Sequence, residues 1–163
     1  MSISIGQSIP DATLGVMNSD GPSQVQAKSL LGNGRIVVFA LPGAFTPTCS
    51  ANHLPGFINQ SETILSKGVD RIVCLSVNDV FVMGAWGQHA GSGEKIVMAA
   101  DGNAELTKAM GLDIDASGFG MGTRSQRYAM ILQDGVVEGL WIDPPGSFQD
   151  SSAEAVLAQL EKN

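Results

Sequence analysis

Three short, almost wholly apolar runs set the frame: Ile36-Val37-Val38-Phe39-Ala40-Leu41, Arg71-Ile72-Val73-Cys74-Leu75-Ser76-Val77 and Lys95-Ile96-Val97-Met98-Ala99. Runs this short with so little polar interruption read as strands covered on both faces. The stretches between them have helical length. Leu54, Phe57, Ile58, Ile64 and Leu65 form one helical stripe, and Gly68 stands where a C-cap belongs. Asp79 is placed to N-cap a helix reaching His89, and Asn103 to Met110 reads as a short helix closed by Gly111. Tyr128 to Leu132 and Val136 to Ile142 flank Asp134-Gly135, a hairpin signal, and Ser152 to Lys162 is an amphipathic helix. The order predicts an α/β fold: a mixed central sheet flanked by helices on both faces. Without repeats or linkers, residues 1–163 are expected to form one domain.

Composition narrows the function classes. Apolar residues at 44% against charged residues at 15% exclude disorder. Sixteen acidic against nine basic residues give a net charge of −7, which phosphate backbones and anionic lipid repel. Neither nucleic acid nor membrane is therefore expected as a partner. The segment Met1 to Gly6 has no basic or apolar signal region, so a cytoplasmic protein with reduced thiols is expected. Two cysteines make no disulfide framework, no C-x-x-C and no zinc set, so no cofactor and no metal are anticipated. His53 and His89 lack partners at ligand spacing, and His53 is expected to pack on the helix that follows Cys49. The glycine-rich segments 91–95 and 118–122 lack a phosphate-loop pattern. Met83, Met98, Met110 and Met130 read as core filler.

The chemistry concentrates in Leu41-Pro42-Gly43-Ala44-Phe45-Thr46-Pro47-Thr48-Cys49-Ser50, where a buried parallel strand gives way to a helix. Open α/β sheets place their ligands at such edges. Thr46 followed by Pro47 marks a helix start, with a hydroxyl residue at N-cap and proline at N1. That count puts Cys49 at N3, where free N–H groups and the helix dipole favour thiolate over thiol. Attack on a disulfide and attack on a peroxide both need a thiolate. Only the second also needs hydrogen-bond donors facing two oxygens, one of which gathers charge as it departs. Thr46 is a candidate donor. Arg124 and Arg127, just before the hairpin, are candidate fixed cations.

Pro42-x-x-x-Thr46-x-x-Cys49, within Pro-Gly-Ala-Phe-Thr-Pro-Thr-Cys-Ser, resembles the active-site loop of the peroxiredoxins, in particular the type 5 (type II) subgroup. The likeness continues through His53-Leu54-Pro55-Gly56-Phe57, Lys67 to Asp70, Ser76 to Asp79, Phe81 to Trp86 and Arg124 to Ala129. It implies a thioredoxin-like fold and a thiol-dependent peroxidase that works without metal, haem or flavin. By this resemblance Cys49 is the peroxidatic nucleophile, oxidised to a sulfenic acid. Thr46 orients the peroxide, Arg127 rather than Arg124 supports the thiolate and transition state, and Pro42 shields the site. It also implies a homodimer with contacts near Phe45, Phe81 and Trp86.

Animal members of the subgroup carry a resolving cysteine after the hairpin, where this chain has Ser151. Cys74 is the only other thiol, a possible resolving or accessory one. It lies roughly 10 Å below the sheet edge at ~3.3 Å per residue, whereas a disulfide wants Cα atoms within about 7 Å. Bridging would require the Cys49 helix to unwind, with Pro55 as its weak point. Recycling by an external thiol is therefore expected, from glutathione with glutaredoxin, or from thioredoxin. A thiol–disulfide oxidoreductase on the same fold, and a non-enzymatic redox-sensing or chaperone-like protein, are the alternatives.

Overall fold

The computed structural model describes residues 1–162. The strands are β1 (Thr13–Asn18), β2 (Gly21–Gln26), β3 (Arg35–Ala40), β4 (Arg71–Ser76), β5 (Val97–Ala100), β6 (Asp113–Asp115), β7 (Thr123–Ser125), β8 (Arg127–Gln133) and β9 (Val136–Asp143). The helices are α1 (Ala27–Leu31), α2 (Leu54–Leu65), α3 (Val80–Ala90), α4 (Glu105–Ala109) and α5 (Ala153–Glu161). Seven strands form the main sheet in the order β2-β1-β5-β4-β3-β8-β9. β3, β4 and β5 are parallel, and the remaining pairings are antiparallel. The mixed sheet expected from the three apolar runs is present.

Period-two alternation divides the core. Val37, Phe39 and Leu41, with Ile72 and Cys74, face α2, α3 and α5. Ile36, Val38 and Ala40, with Val73 and Leu75, pack with Leu30 and Leu31 of α1 and Leu106 of α4. Burial on both sides is why these strands carry so few polar residues. Phe39 and Phe57 stack with centroids 4.0 Å apart, which fixes α2 on the sheet directly below the loop after β3.

Local signals worked where the chemistry was local. Asp79 accepts from the Val82 N–H, and Ser152 accepts from the Ala155 N–H, so both helices start on side-chain caps. Asp134 and Gly135 both have positive φ, 51° and 81°, as a two-residue hairpin turn requires. Gly68 has φ 84°, but it follows the Ser66 C-cap by two residues. The third parallel strand is displaced from the expected 95–99 to 97–100. The opening hairpin and α1 fall outside the sequence expectations because β2, Gly-Pro-Ser-Gln-Val-Gln, is a largely exposed edge strand with little apolar signal. Among the described residues no helix is long and apolar enough to cross a membrane.

Candidate active site

β8 runs antiparallel to β3 with Tyr128 opposite Ala40, so Arg127 arrives at the edge from which residues 41–48 leave β3. The loop is pinned from two sides. Arg124 donates from Nη1 to the Pro42 carbonyl (3.3 Å) and from Nε to the Met121 carbonyl (3.0 Å). Asn78 Oδ1, just beyond β4, accepts from the Ala44 N–H at 2.9 Å and from the Ser76 hydroxyl at 2.7 Å. Gly43 is needed for this closeness, since a Cβ there would lie 2.9 Å from Arg124 Nη1. Phe45 takes φ 64°, a strained conformation for an aromatic residue.

Helical winding begins where the sequence places it: the Thr46 carbonyl accepts from the Ser50 N–H at 2.9 Å. The hydroxyl does something else. It turns back and donates to the Gly43 carbonyl at 2.7 Å, which leaves lone pairs, not the proton, for a ligand. The expected N-cap hydroxyl bond is thus replaced by a loop-closing one. Nor is Cys49 the N3 residue of a regular α-helix. Cys49–His53 wind as a π turn, with the Leu54 N–H reaching back to the Cys49 carbonyl. Pro55 supplies the reason: it has no N–H for the Ala51 carbonyl and its ring would collide with it. A widened turn relieves both problems and re-aims the cysteine.

Cys49 is fully buried, and Arg127 Nη2 donates to its Sγ at 3.2 Å. Of the two candidate arginines, Arg127 reaches the sulfur while Arg124 latches the loop. The other terminal nitrogen of Arg127, Nη1, is 2.8 Å from His53 Nδ1, and His53 Nε2 is 2.9 Å from the Ser151 carbonyl. His53 does pack on the active-site helix, as expected, but its polar partners were not foreseen. Burial, and then the adjacent guanidinium, push the imidazole down to about 3 from 6.5, against the opposite pull of the Ser151 carbonyl and Asp143. It is therefore neutral at physiological pH.

Asp143, at the end of β9, accepts from the backbone N–H groups of Gln149, Asp150 and Ser151 and from the Ser151 hydroxyl. Burial alone would raise its carboxyl, but these bonds hold it below the usual range. Trp86 Nε1 donates to Ser50 Oγ at 3.0 Å, tying α3 to the π turn. Trp86 is only 1% exposed, whereas Phe45 and Phe81 are exposed at 50% and 64%.

A cleft of about 90 Å³, room for a few water-sized groups, opens against Arg127; neither Cys49 nor Thr46 is among the residues that line it. Pro42, Thr48, Ile114, Arg127, Pro144 and Pro145 line it. Cys74 lies apart in mid-sheet, opposite Phe39 and Met98, unbridged and fully buried. Burial, and secondarily Cys49, push its thiol up. Among the described residues no three His, Cys, Asp or Glu side chains gather as a metal site would require.

Residues 4–157 match the Redoxin family. Peroxiredoxin-2E-2, chloroplastic, of Oryza sativa subsp. japonica is 47% identical over 98% of this chain and 73% of its own length. Peroxiredoxin-2B of Arabidopsis thaliana is 41% identical over 97% and 98% of the two chains. The crystal structure of reduced Prx3 in complex with H2O2 from Vibrio vulnificus superposes with TM-score 0.93 at 49% identity, covering 97% and 99%. Structural neighbours of this kind bear out the thioredoxin-like fold. Likeness of this extent and identity, meeting on a buried sulfur held by a guanidinium, makes the chain a member of the peroxiredoxin family and its activity that of a thiol-dependent peroxidase.

Proposed function

We propose that Cys49 is the peroxidatic nucleophile and that the reaction passes through its sulfenic acid. The observation that carries this reading is the 3.2 Å contact from Arg127 Nη2 to the Cys49 sulfur. Cys49 thiolate attacks the near oxygen of a hydroperoxide in line with the O–O bond. A sulfur–oxygen bond forms, the O–O bond breaks, and the departing oxygen leaves as alkoxide or hydroxide and takes up a proton. Arg127 carries permanent charge and a fork of donors, suited to stabilise negative charge as it moves from sulfur to oxygen. Thr46 serves as the acceptor of the peroxide O–H, since its own proton is committed to Gly43. Pro42 forms one wall of the cleft against Arg127, and its role in this reading is to shield the sulfur from water.

Reduction then comes from outside. Glutathione attacks the sulfenic sulfur and expels water, and a second thiol, through glutaredoxin or directly, releases the mixed disulfide. Thioredoxin is the other candidate reductant. The burial that raises the Cys74 thiol supports an external resolver. The cytoplasm, rich in such thiols, is the compartment this cycle fits. A homodimer contact through exposed Phe45 and Phe81 is part of the same reading.

Anaerobic mixing of reduced protein with one equivalent of hydrogen peroxide tests the assignment. Wild type should form a dimedone-reactive sulfenate at Cys49, Arg127→Ala should form it on the order of 100-fold more slowly, and Cys49→Ser should form none. Cys74→Ser should keep full thiol-dependent turnover. A silent Arg127→Ala would overturn the assignment of the guanidinium, and an inactive Cys74→Ser would overturn external resolution.

A further inference from the structure

A guanidinium that touches a sulfur through one terminal nitrogen is still free to swing about its long side chain. Here the other terminal nitrogen is fixed. Arg127 Nη1 meets His53 Nδ1 at 2.8 Å while Nη2 points at Cys49 Sγ. The protonation pattern of the ring follows from its neighbours. The Ser151 carbonyl can only accept, so Nε2 carries the hydrogen and donates across 2.9 Å. Arginine can only donate, so Nδ1 must present a lone pair. A neutral imidazole with its hydrogen on Nε2 satisfies both ends at once, and no other form does.

The ring has no room to turn. Phe39, Phe57 and Phe148 surround it at centroid distances of 5.1, 5.7 and 5.0 Å, and the Arg127 guanidinium also lies over the Phe148 ring at 5.8 Å. The carbonyl that orients the ring is itself set, because the Ser151 N–H and hydroxyl are both held by Asp143. A continuous chain of bonds thus runs from Asp143 through Ser151, His53 and Arg127 to the reacting sulfur. It joins residues 98, 74 and 78 positions apart in sequence.

We propose that His53 is the positioning residue of the peroxidatic site: its neutral ring aims Arg127 at Cys49 and connects that aim to the loop 144–151. His53 touches neither sulfur nor substrate in this role and acts only through the guanidinium. The proposal rests on the reading of Arg127 above. A histidine that merely fills the core would leave the arginine indifferent to it.

Stopped-flow rate constants for hydrogen peroxide, measured on reduced full-length protein, decide between these. His53→Leu keeps bulk but has no polar atom. It should slow sulfenate formation on the order of 10- to 100-fold, the range expected when a catalytic group is misplaced by about 1 Å. His53→Gln can offer an oxygen to the guanidinium and an N–H to the Ser151 carbonyl, and should recover most of the loss. In an Arg127→Ala background the same His53→Leu change should alter the rate less than about twofold, the non-additivity of residues acting as a unit. Equal fold-losses in both backgrounds would overturn the link while leaving Arg127 in place. An Arg127→Ala protein as fast as wild type would overturn the reading of Arg127 and the proposal with it.

Ring nitrogen NMR on folded wild type gives the tautomer without recourse to any variant, and Arg127→Ala then tests the contact. His53 should show one neutral tautomer at pH 7, hydrogen on Nε2, with its Nδ1 resonance moving toward that of an unbonded acceptor in Arg127→Ala. A doubly protonated ring, or hydrogen on Nδ1, would refute the proposal.

Discussion

The same ring makes the stability of the protein depend on mild acid in a way that can be worked out in advance. His53 titrates near 6.5 in an unfolded chain but only near 3 when buried against Arg127. Between those values the unfolded chain binds a proton that the folded chain refuses, so lowering the pH favours unfolding. The contribution is fully present above about pH 6.5 and erodes by roughly 1.4 kcal/mol per unit below it, until folded His53 itself protonates. At pH 5 the loss is 1.5 units of that slope, about 2 kcal/mol. For a domain of this length that is about 4–8 °C of melting temperature, or roughly 1 M of urea midpoint.

Urea unfolding at pH 7 and pH 5, on wild type and His53→Leu, isolates the effect as a double difference. The leucine variant should be weaker at pH 7, since the Ser151 carbonyl and Arg127 Nη1 lose their partner. Its further loss on going to pH 5 should be smaller than that of wild type by about 2 kcal/mol. The depressed carboxyls of Asp115, Asp134 and Asp143 lie below 3.8 in the fold, so their losses come at lower pH and do not enter this window. Equal pH slopes in the two proteins would mean that His53 takes up its proton alike in the folded and the unfolded chain, and the argument from burial would be wrong.

Asp143→Asn leaves one accepting oxygen where a carboxylate held three N–H groups and a hydroxyl. It should cost about 2–3 kcal/mol, read as a melting-temperature drop by circular dichroism, and make the 144–150 loop more open to proteolysis. An unchanged melting point would show that the loop stands without its clamp. Gly43→Ala brings a methyl within 2.9 Å of Arg124 Nη1 and 3.2 Å of Thr46 Cγ2, displacing the arginine from the Pro42 carbonyl. A loss of about 1–3 kcal/mol and slower sulfenate formation are expected; wild-type values in both assays would contradict the close packing. Trp86→Phe removes the donor to Ser50 Oγ and should weaken the fold by about 1 kcal/mol in urea. A variant as stable as wild type would mean that α3 is not tied to the π turn through this bond.

What could be read from the chain alone follows from the range over which a sequence pattern carries information. The short apolar runs, the helical stripe, the Asp79 cap and the Asp134-Gly135 turn each depend on residues close to one another in the chain, and each appears in the fold. Thr46-Pro47 marked the helix start for the same reason. Even the π turn had a local trace in Pro55, six residues after Cys49, whose missing N–H is incompatible with a regular helix through Ala51.

The polar connections behind the sulfur left no such trace, because none of them is local. His53 read as a core residue, and by burial it is one; its function lies in which two groups its nitrogens face, and those come from β8 and from the loop after β9. The sheet topology alone brings them together: β8 returns antiparallel beside β3, and β9 then carries Asp143 back to the same edge, level with Arg127. That register explains how Ser151, which holds no thiol, still has a place in the site. Its carbonyl and hydroxyl turn the segment after the hairpin into a support for the arginine. The segment carries no thiol to deliver, and four bonds to Asp143 hold it in place.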